Sequence, residues 1–464
     1  MEGQQWTKLL VLLDQNSSEY EHLSINEAFL KFYNETNNIP HEEWLSEQLA
    51  ETPTKSNTKA ETFRSLGNKF YCRGNFKESI KWYTMSLHFA IHNGAEYGKA
   101  LANRSAASFA LEQYDECLKD IGACFASEYP VELQQKVLLR KLQAYYHLDM
   151  DDEFNKQVLD MEDEFKDTDL VELRYNSEKG RHVIAAKDIE PNSILFKEEA
   201  FVAAQIFKSR EELEHEVCYN CLKHIPYFSL PCPSCTYCLY CSENCKTTSW
   251  SSSHRFECPG MIIFYELGQA LPAFKCIMKG ITSNYTEADK TSVIFGDSDN
   301  NYKYANSLLT NFEIRSDKMN FLGVALIIII YLRSKTDFFT YIHEYIQNRE
   351  DLEVFMGQML VKHMVQLFCN GSIVERQTGL NSERRPIAAA IYPSICMMNH
   401  SCKSNITIKY NGSTAIVKSI DKILEGEEVF NSYGVDYTTD KSFRRKYLLE
   451  NFGFHCSCSI CVNN

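Results

Sequence analysis

A chain of 464 residues with 44% hydrophobic side chains is long enough for two or three domains, and it can bury real cores, which excludes disorder as the default state. A formal net charge of −14 and a pI near 5.5 argue against a general duplex-DNA binder, whose affinity comes from many Lys and Arg neutralising phosphates. Acidity instead suits a basic or lysine-bearing protein partner. The opening MEGQQWTKLLVLLDQNSSEY lacks the basic start and unbroken apolar run of a signal peptide, so the 18 cysteines are expected to be reduced thiols and metal ligands rather than disulfides.

Residues 1–59 carry no functional signal beyond an unassigned, partly helical segment. Residues 60–165 read as helical hairpins: Leu66, Gly67, Phe70, Phe76, Ile80, Tyr83 and Leu87 recur at three-to-four spacing. A related pattern returns through Ala106, Tyr114, Cys117, Leu118, Ile121 and Cys124, with Ser79 and Cys117 38 residues apart, and a weaker third unit begins near Lys136. The texture resembles the tetratricopeptide repeat, of period about 34, with the loop IHNGAEYGK absorbing the excess. Two readings stand: a stack with a concave groove for extended peptides or partner helices, or a plain helical bundle.

Near Tyr175 the pattern turns β-prone, with HVIAAKDIEPNSILFKEEAFVAAQIF broken by Asp188, Pro191 and Asn192. A cysteine-rich stretch follows, then a largely helical one over 259–370, then short β-like runs such as NITIKYNGSTAIVKSI. The most apolar run, Phe321 to Leu332, is about a dozen residues where a membrane span needs about twenty, so a buried helix is expected and no membrane anchor.

The cysteine-rich stretch holds the strongest signal. Cys218, Cys221, Cys232, Cys235, Cys241, Cys245, His254 and Cys258 place eight metal-type ligands within 41 residues, enough for two tetrahedral zinc sites in a segment too short to build its own core. Cys456, Cys458 and Cys461 supply three more ligands near the end, and Cys402 is the candidate fourth. Of the other seven, Cys72, Cys117, Cys124, Cys238, Cys276, Cys369 and Cys396, the simplest reading is small buried apolar side chains. Cys238 could compete as a ligand.

Three later segments, NHSCKSN (Asn399 to Asn405), GEEVFNSYG (Gly426 to Gly434) and FHCSCSIC (Phe454 to Cys461), resemble the SET lysine methyltransferase signature. With the zinc cluster separating them from an upstream KGRHVIA, the order resembles the SET and MYND domain family, SMYD, and in particular its form with N-terminal tetratricopeptide repeats. The resemblance implies an α+β fold: a β-rich SET domain split by a MYND zinc finger and a helical insertion, preceded by an α-helical repeat region. The expected parts are an N-terminal segment (1–59), repeats (60–165), an N-terminal SET part (175–217), the MYND finger (218–258), a helical insertion (259–370), the SET core (371–450) and a post-SET zinc segment (451–464).

By the same resemblance, one MYND zinc takes Cys218, Cys221, Cys241 and Cys245, the other Cys232, Cys235, His254 and Cys258, and a third takes Cys402, Cys456, Cys458 and Cys461. That third metal pins the chain end beside Asn399 and His400 and holds Phe454 at the active site. Methyl transfer from S-adenosylmethionine to a lysine is a direct displacement in which positioning supplies most of the catalysis, and an apolar channel helps to supply a neutral amine. The resemblance assigns cofactor contacts to Lys179, Gly180, Arg181, Asn311, Asn370, Asn399, His400, Tyr433 and Phe454, with Asn399 and His400 acting through backbone and side chain, and catalysis to the Tyr433 hydroxyl. Asn311 and Asn370 equally suit loop bridging. Glu427 and Glu428 are neighbours on opposite strand faces and unsuited to shared acid–base work.

Ser404 stands where the family has Pro, Asn192 where it has Gly, and Gly371 and Ser372 where many members have an aromatic. The chain ends three residues after Cys461, without the C-terminal helical repeats usual in the family, so either an open substrate cleft or a shortened form is expected. The leading reading is a protein-lysine N-methyltransferase acting on a protein substrate. Its rival is a SET-fold scaffold, catalytically weak or inactive, binding protein partners through repeats and finger. A monomer in cytoplasm and nucleus, without direct nucleic-acid binding, completes the expectation.

Overall fold

The computed structural model describes residues 17–36, 45–46, 49–50, 54–148, 169–206, 217–225, 229–282, 302–346, 351–378 and 383–463. In chain order the elements used below are α1 (Ile25–Thr36), α2 (Asn57–Cys72), α3 (Phe76–Phe89), α4 (Ala95–Ala110), α5 (Tyr114–Phe125) and α6 (Gln134–Leu148). Strands β1 (Val171–Asn176), β2 (Gly180–Ala185), β3 (Ile194–Glu199) and β4 (Val202–Gln205) follow, then β5 (Leu230–Pro231), β6 (Leu239–Tyr240) and α7 (Glu243–Ser249). Last come α8 (Ala270–Thr282), α9 (Lys318–Lys335), α10 (Leu352–Asn370), β7 (Ser372–Thr378), β8 (Glu383–Ile391), β9 (Ile406–Asn411), β10 (Thr414–Ser419) and α11 (Lys441–Phe452). The chain divides into two compact units, Thr52–Lys166 with Ser209–Ser251, and Met1–Glu51 with Asp167–Lys208 and Ser252–Asn464.

In the smaller unit α2 and α3 form one hairpin, α4 and α5 a second, and α6 packs on α5. The hairpins start where side chains satisfy orphan amides: Ser56 accepts from Lys59 N–H and Asn75 from Glu78 N–H. Small residues set the helix spacing, since a Cβ at Gly67 would lie 2.6 Å from the Tyr83 ring. Leu87, Leu101, Cys117, Ile121 and Cys124 fill the shared core. Arg104 is buried and bidentate to Asp120 at 2.7 and 2.9 Å, and it also donates to the Thr84 hydroxyl and the Ser229 carbonyl, each at 3.0 Å. Through Ser229 the helices hold the strand β5, which pairs antiparallel with β6. A helical third unit is present as α6; the part expected beyond residue 148 lies outside the described residues.

In the larger unit, two three-stranded antiparallel sheets, β3-β10-β9 and β4-β8-β7, and the β1-β2 hairpin make the β-rich part. Strand β10 alternates as an amphipathic strand must, with Ala415, Val417 and Ser419 buried. The segment around Glu427 pairs with β2, Ala185 N–H donating to Glu427 O and Val429 N–H to Val183 O, both at 2.8 Å. The run LIIIIYL lies in α9, buried on all sides as its uniform apolarity requires. Helix α1, in the segment left unassigned from sequence, packs on α9 and α10: a Cβ on Gly357 of α10 would overlap the Phe29 ring, and the Tyr33 hydroxyl donates to Glu353 at 2.6 Å.

The reading of seven cysteines as buried fillers needs correction. Cys117, Cys124, Cys238 and Cys276 are buried, but Cys72 is exposed, since it ends α2 where the helix turns to solvent, and Cys369 and Cys396 are half-buried.

Candidate active site and zinc centres

The site is built where two irregular segments lie side by side. Ser401 N–H donates to Asn431 O at 3.0 Å and Asn431 N–H to Asn399 O at 2.9 Å, so the stretch 399–401 runs parallel to the one leading into Tyr433. The Tyr433 hydroxyl donates to Met398 O at 2.8 Å. Its ring is 4.9 Å from Phe452, 5.3 Å from His400 and 6.3 Å from Phe454, centroid to centroid. Burial, with Cys396 and Glu428 adding, pushes the phenol well above its ordinary value, so it stays protonated.

At the other end of the same segment, Asn399 donates its amide to Glu428 at 2.9 Å and lies 3.4 Å from the Lys179 carbonyl, while the Lys179 ammonium meets the other Glu428 oxygen at 2.7 Å. Glu428, at an isolated bridge to Ile184, is buried and Glu427 exposed, so the two carboxylates do not share a site. Gly180 takes φ +68, and a Cβ built on it meets nothing within 4 Å, so the backbone is open beside this charged pair. Arg181 follows on β2, opposite Tyr175.

Asn311 and Asn370 belong to the same unit but hold loops. Asn311, itself at φ 50, donates to Phe452 O at 3.0 Å, and Asn370 donates to Leu309 O at 2.8 Å and Gln366 O at 2.9 Å. Ser404 replaces a fixed proline angle with bonds: its hydroxyl lies 2.8 Å from both Phe430 O and Ile406 O and accepts from Ile406 N–H. Asn192 adopts φ 66, a conformation Asn tolerates.

Two residues with a structural part in the site have no site role assigned from sequence, Glu428 being weighed only as an acid–base partner of Glu427. Glu428 is the partner shared by Lys179 and Asn399; its place in GEE, on the inward face, was the available signal. Glu198 is 1% exposed and accepts from Ser394 N–H at 2.9 Å and the Ser394 hydroxyl at 2.8 Å, fixing the turn that leads to Met398. Burial raises its carboxyl to about 7 against the pull of those bonds. Nothing in ILFKEEA marks the first of two glutamates as internal.

Three clusters bring their ligand atoms within 4.8 Å of one another: Cys218, Cys221, Cys241 and Cys245; Cys232, Cys235, His254 and Cys258; and Cys402, Cys456, Cys458 and Cys461. These are the three sets expected, and Cys238 belongs to none. Each offers four soft donors, the number zinc takes in structural sites. His254 Nδ1 lies 3.3 Å from the buried Glu257 carboxylate, which leaves Nε2 to a metal, the usual support of a ligating imidazole. Although burial works to raise it, Lys275 and the His254 bond hold Glu257 down at about 2.

A model of the SET domain matches residues 180–434, more than half of the chain. The chain belongs to the SET-domain family. It is 24% identical to the mouse (Mus musculus) protein-lysine N-methyltransferase SMYD4, over 91% of this chain and 69% of that protein, and 25% identical to the human (Homo sapiens) one, over 86% and 66%. To bovine (Bos taurus) N-lysine methyltransferase SMYD2 it is 26% identical, over 61% of this chain and 58% of that one. Among solved structures, the SET domain of LSMT bound to lysine and AdoHcy is 11% identical with a TM-score of 0.24, over 63% of this chain and 54% of that one, too weak a likeness to inform the fold. The SET match takes in Gly180, Arg181, Asn399, His400 and Tyr433; Lys179, Phe454 and three terminal cysteines lie just outside it.

Proposed function

We propose that the protein is a protein-lysine N-methyltransferase using S-adenosylmethionine, with zinc in the three cysteine clusters. The observation that carries this is the convergence of Tyr433, Asn399 and Glu428 within one SET domain, with Lys179 at its edge paired to Glu428. The residues fit the cofactor: an ammonium and a carboxylate face an open glycine backbone, suited to the zwitterionic amino acid end, and an aromatic wall suits a sulfonium. When bound, S-adenosylmethionine would supply the electrophilic methyl group of its sulfonium.

The chain's own residues do the rest. The Tyr433 O–H donates a hydrogen bond to Met398 O, which fixes the hydroxyl and leaves its oxygen lone pairs to accept from a substrate amine. Because the phenol stays protonated it orients rather than deprotonates. The Phe452 and Phe454 rings lie 4.9 and 6.3 Å from the Tyr433 ring, an apolar setting that disfavours a charged amine. Glu428 holds the Asn399 amide and the Lys179 ammonium in place.

One observation favours the scaffold reading as a second: Arg104 binds the repeat helices to the finger strand at Ser229, making one platform for peptide or protein partners. We extend the family expectation to a monomer in cytoplasm and nucleus. Labelled methyl transfer from S-adenosylmethionine onto arrayed lysine peptides and cell-extract proteins tests the enzyme. Transfer that falls about 100-fold in Tyr433→Phe supports it; no transfer by zinc-replete protein leaves the scaffold.

A further inference from the structure

We propose that the His400 imidazole is a hydrogen-bond relay that fastens the backbone of Tyr433 to the terminal thiolate cluster, so that the metal site positions the active-site hydroxyl. Tyr433 N–H is 3.1 Å from His400 Nδ1, and a backbone amide only donates, so Nδ1 is the accepting nitrogen. A neutral imidazole that accepts at Nδ1 carries its proton on Nε2. That nitrogen lies 3.4 Å from Cys402 Sγ, so the ring donates N–H to the sulfur.

A thiol sulfur is a weak acceptor, whereas a metal-bound thiolate is a strong one. Cys402 Sγ is 3.6 Å from Cys461 Sγ and 3.8 Å from Cys456 Sγ, within the cluster, and it is fully buried. A second donor reaches another sulfur of the cluster: Arg444, 3% exposed on α11, directs Nη2 at Cys461 Sγ at 3.7 Å. A divalent ion held by four thiolates keeps net negative charge, and N–H donors on two of its sulfurs are the support it calls for.

Both nitrogens of His400 are thereby engaged. The side chain has none left for the cofactor, which corrects the expectation of a side-chain contact and leaves the His400 backbone for that role. The path from metal to chemistry is short: Cys402 sulfur, imidazole, Tyr433 backbone, and through the ring to the hydroxyl held by Met398. His400 is a positioning residue, and what it positions rests on the methyltransferase reading. The link itself does not.

Two substitutions divide the relay. The amide oxygen of His400→Asn reaches the Nδ1 position and accepts from Tyr433 without donating to sulfur. The amide nitrogen of His400→Gln reaches the Nε2 position and donates to sulfur without supporting Tyr433. The full zinc-loaded chain is assayed for metal release to a chromogenic chelator, and, labelled with 3-fluorotyrosine, by fluorine NMR, with Tyr433 assigned from its absence in Tyr433→Phe. We expect His400→Asn to release the terminal zinc about 10-fold faster than wild type and His400→Gln within about 3-fold of it. We expect the Tyr433 resonance to move in His400→Gln, and in wild type when the terminal metal is removed. Equal release rates in all three proteins, or a Tyr433 resonance unmoved by loss of the metal, overturns the relay. Neither readout needs methyl transfer, so absent transfer with these shifts intact would count against the function and not against the relay.

Discussion

The finger cluster of Cys218, Cys221, Cys241 and Cys245 and the terminal cluster of Cys402, Cys456, Cys458 and Cys461 have the same four sulfur donors in different surroundings. In the finger, Cys241 is exposed and Cys221 half-buried, the sulfurs of Cys221 and Cys245 lie 3.6 and 3.5 Å from that of Cys241, and the nearby strands are two residues long. At the terminus three of the four are buried, the cluster packs with Tyr433, Phe452 and Phe454, and His400 and Arg444 approach its sulfurs. One cluster stands in for a core; the other braces a site. Identical ligand chemistry therefore says little about a metal's role until its neighbours are known.

The largest effect should separate the two directly. Cys402→Ser should lose one of three zincs and about 100-fold or more in methyl transfer, because Tyr433 loses its anchor. Cys241→Ser should also lose a zinc, yet stay within about 3-fold of wild-type transfer, since that metal's contribution is local folding. Zinc counts beside transfer rates check both, and equal loss of activity in the two would erase the distinction.

Next comes the ion pair supporting the finger. Asp120→Ala leaves Arg104 buried and uncompensated, at a cost of about 3–5 kcal/mol to the smaller unit. Urea unfolding should show this in one transition, with faster zinc release from the finger and no change at the terminal cluster.

A smaller effect belongs to the larger unit. The Glu198 carboxyl is raised from 4.5 to about 7, so the fold favours its protonated form. Wild-type stability from this group is full below the unfolded value, falls as pH climbs from about 4.5 to 7, and is constant above, a loss of up to about 3 kcal/mol. Glu198→Gln keeps an acceptor for Ser394 and should remove that slope, read as the difference between the two melting curves across pH. The smallest effect expected is Gly67→Ala, whose methyl meets the Tyr83 ring and should cost about 1–3 kcal/mol in the smaller unit alone.

Much of this was legible because the chemistry is written in short spacings. The zinc ligands, NHSC and GEEVFNSYG announce donor sets and tight backbone turns, which demand particular residues at particular separations, and Gly180 sits where a positive φ is needed. Helical texture up to residue 148 was equally plain, since three-to-four spacing is a local property. What stayed hidden depends on contacts far apart in sequence. Phe29 of α1 finds its place only against Gly357, some three hundred residues on, so the N-terminal segment looked empty. Glu198 reads as a surface glutamate until Ser394 folds over it. The Asn311 and Asn370 amides take the bridging alternative, on backbone carbonyls whose identity no motif records, and the use of both His400 nitrogens follows from a tautomer that only three-dimensional neighbours define.

Calorimetric titration of S-adenosylmethionine into zinc-loaded protein, with Asn399→Ala alongside, asks whether this SET domain holds a working methyl-donor site. Micromolar binding to wild type, about −8 kcal/mol, is expected, and its loss when the amide that meets Glu428 is removed. No binding by wild-type protein shown to hold a zinc in each of its three clusters would contradict it.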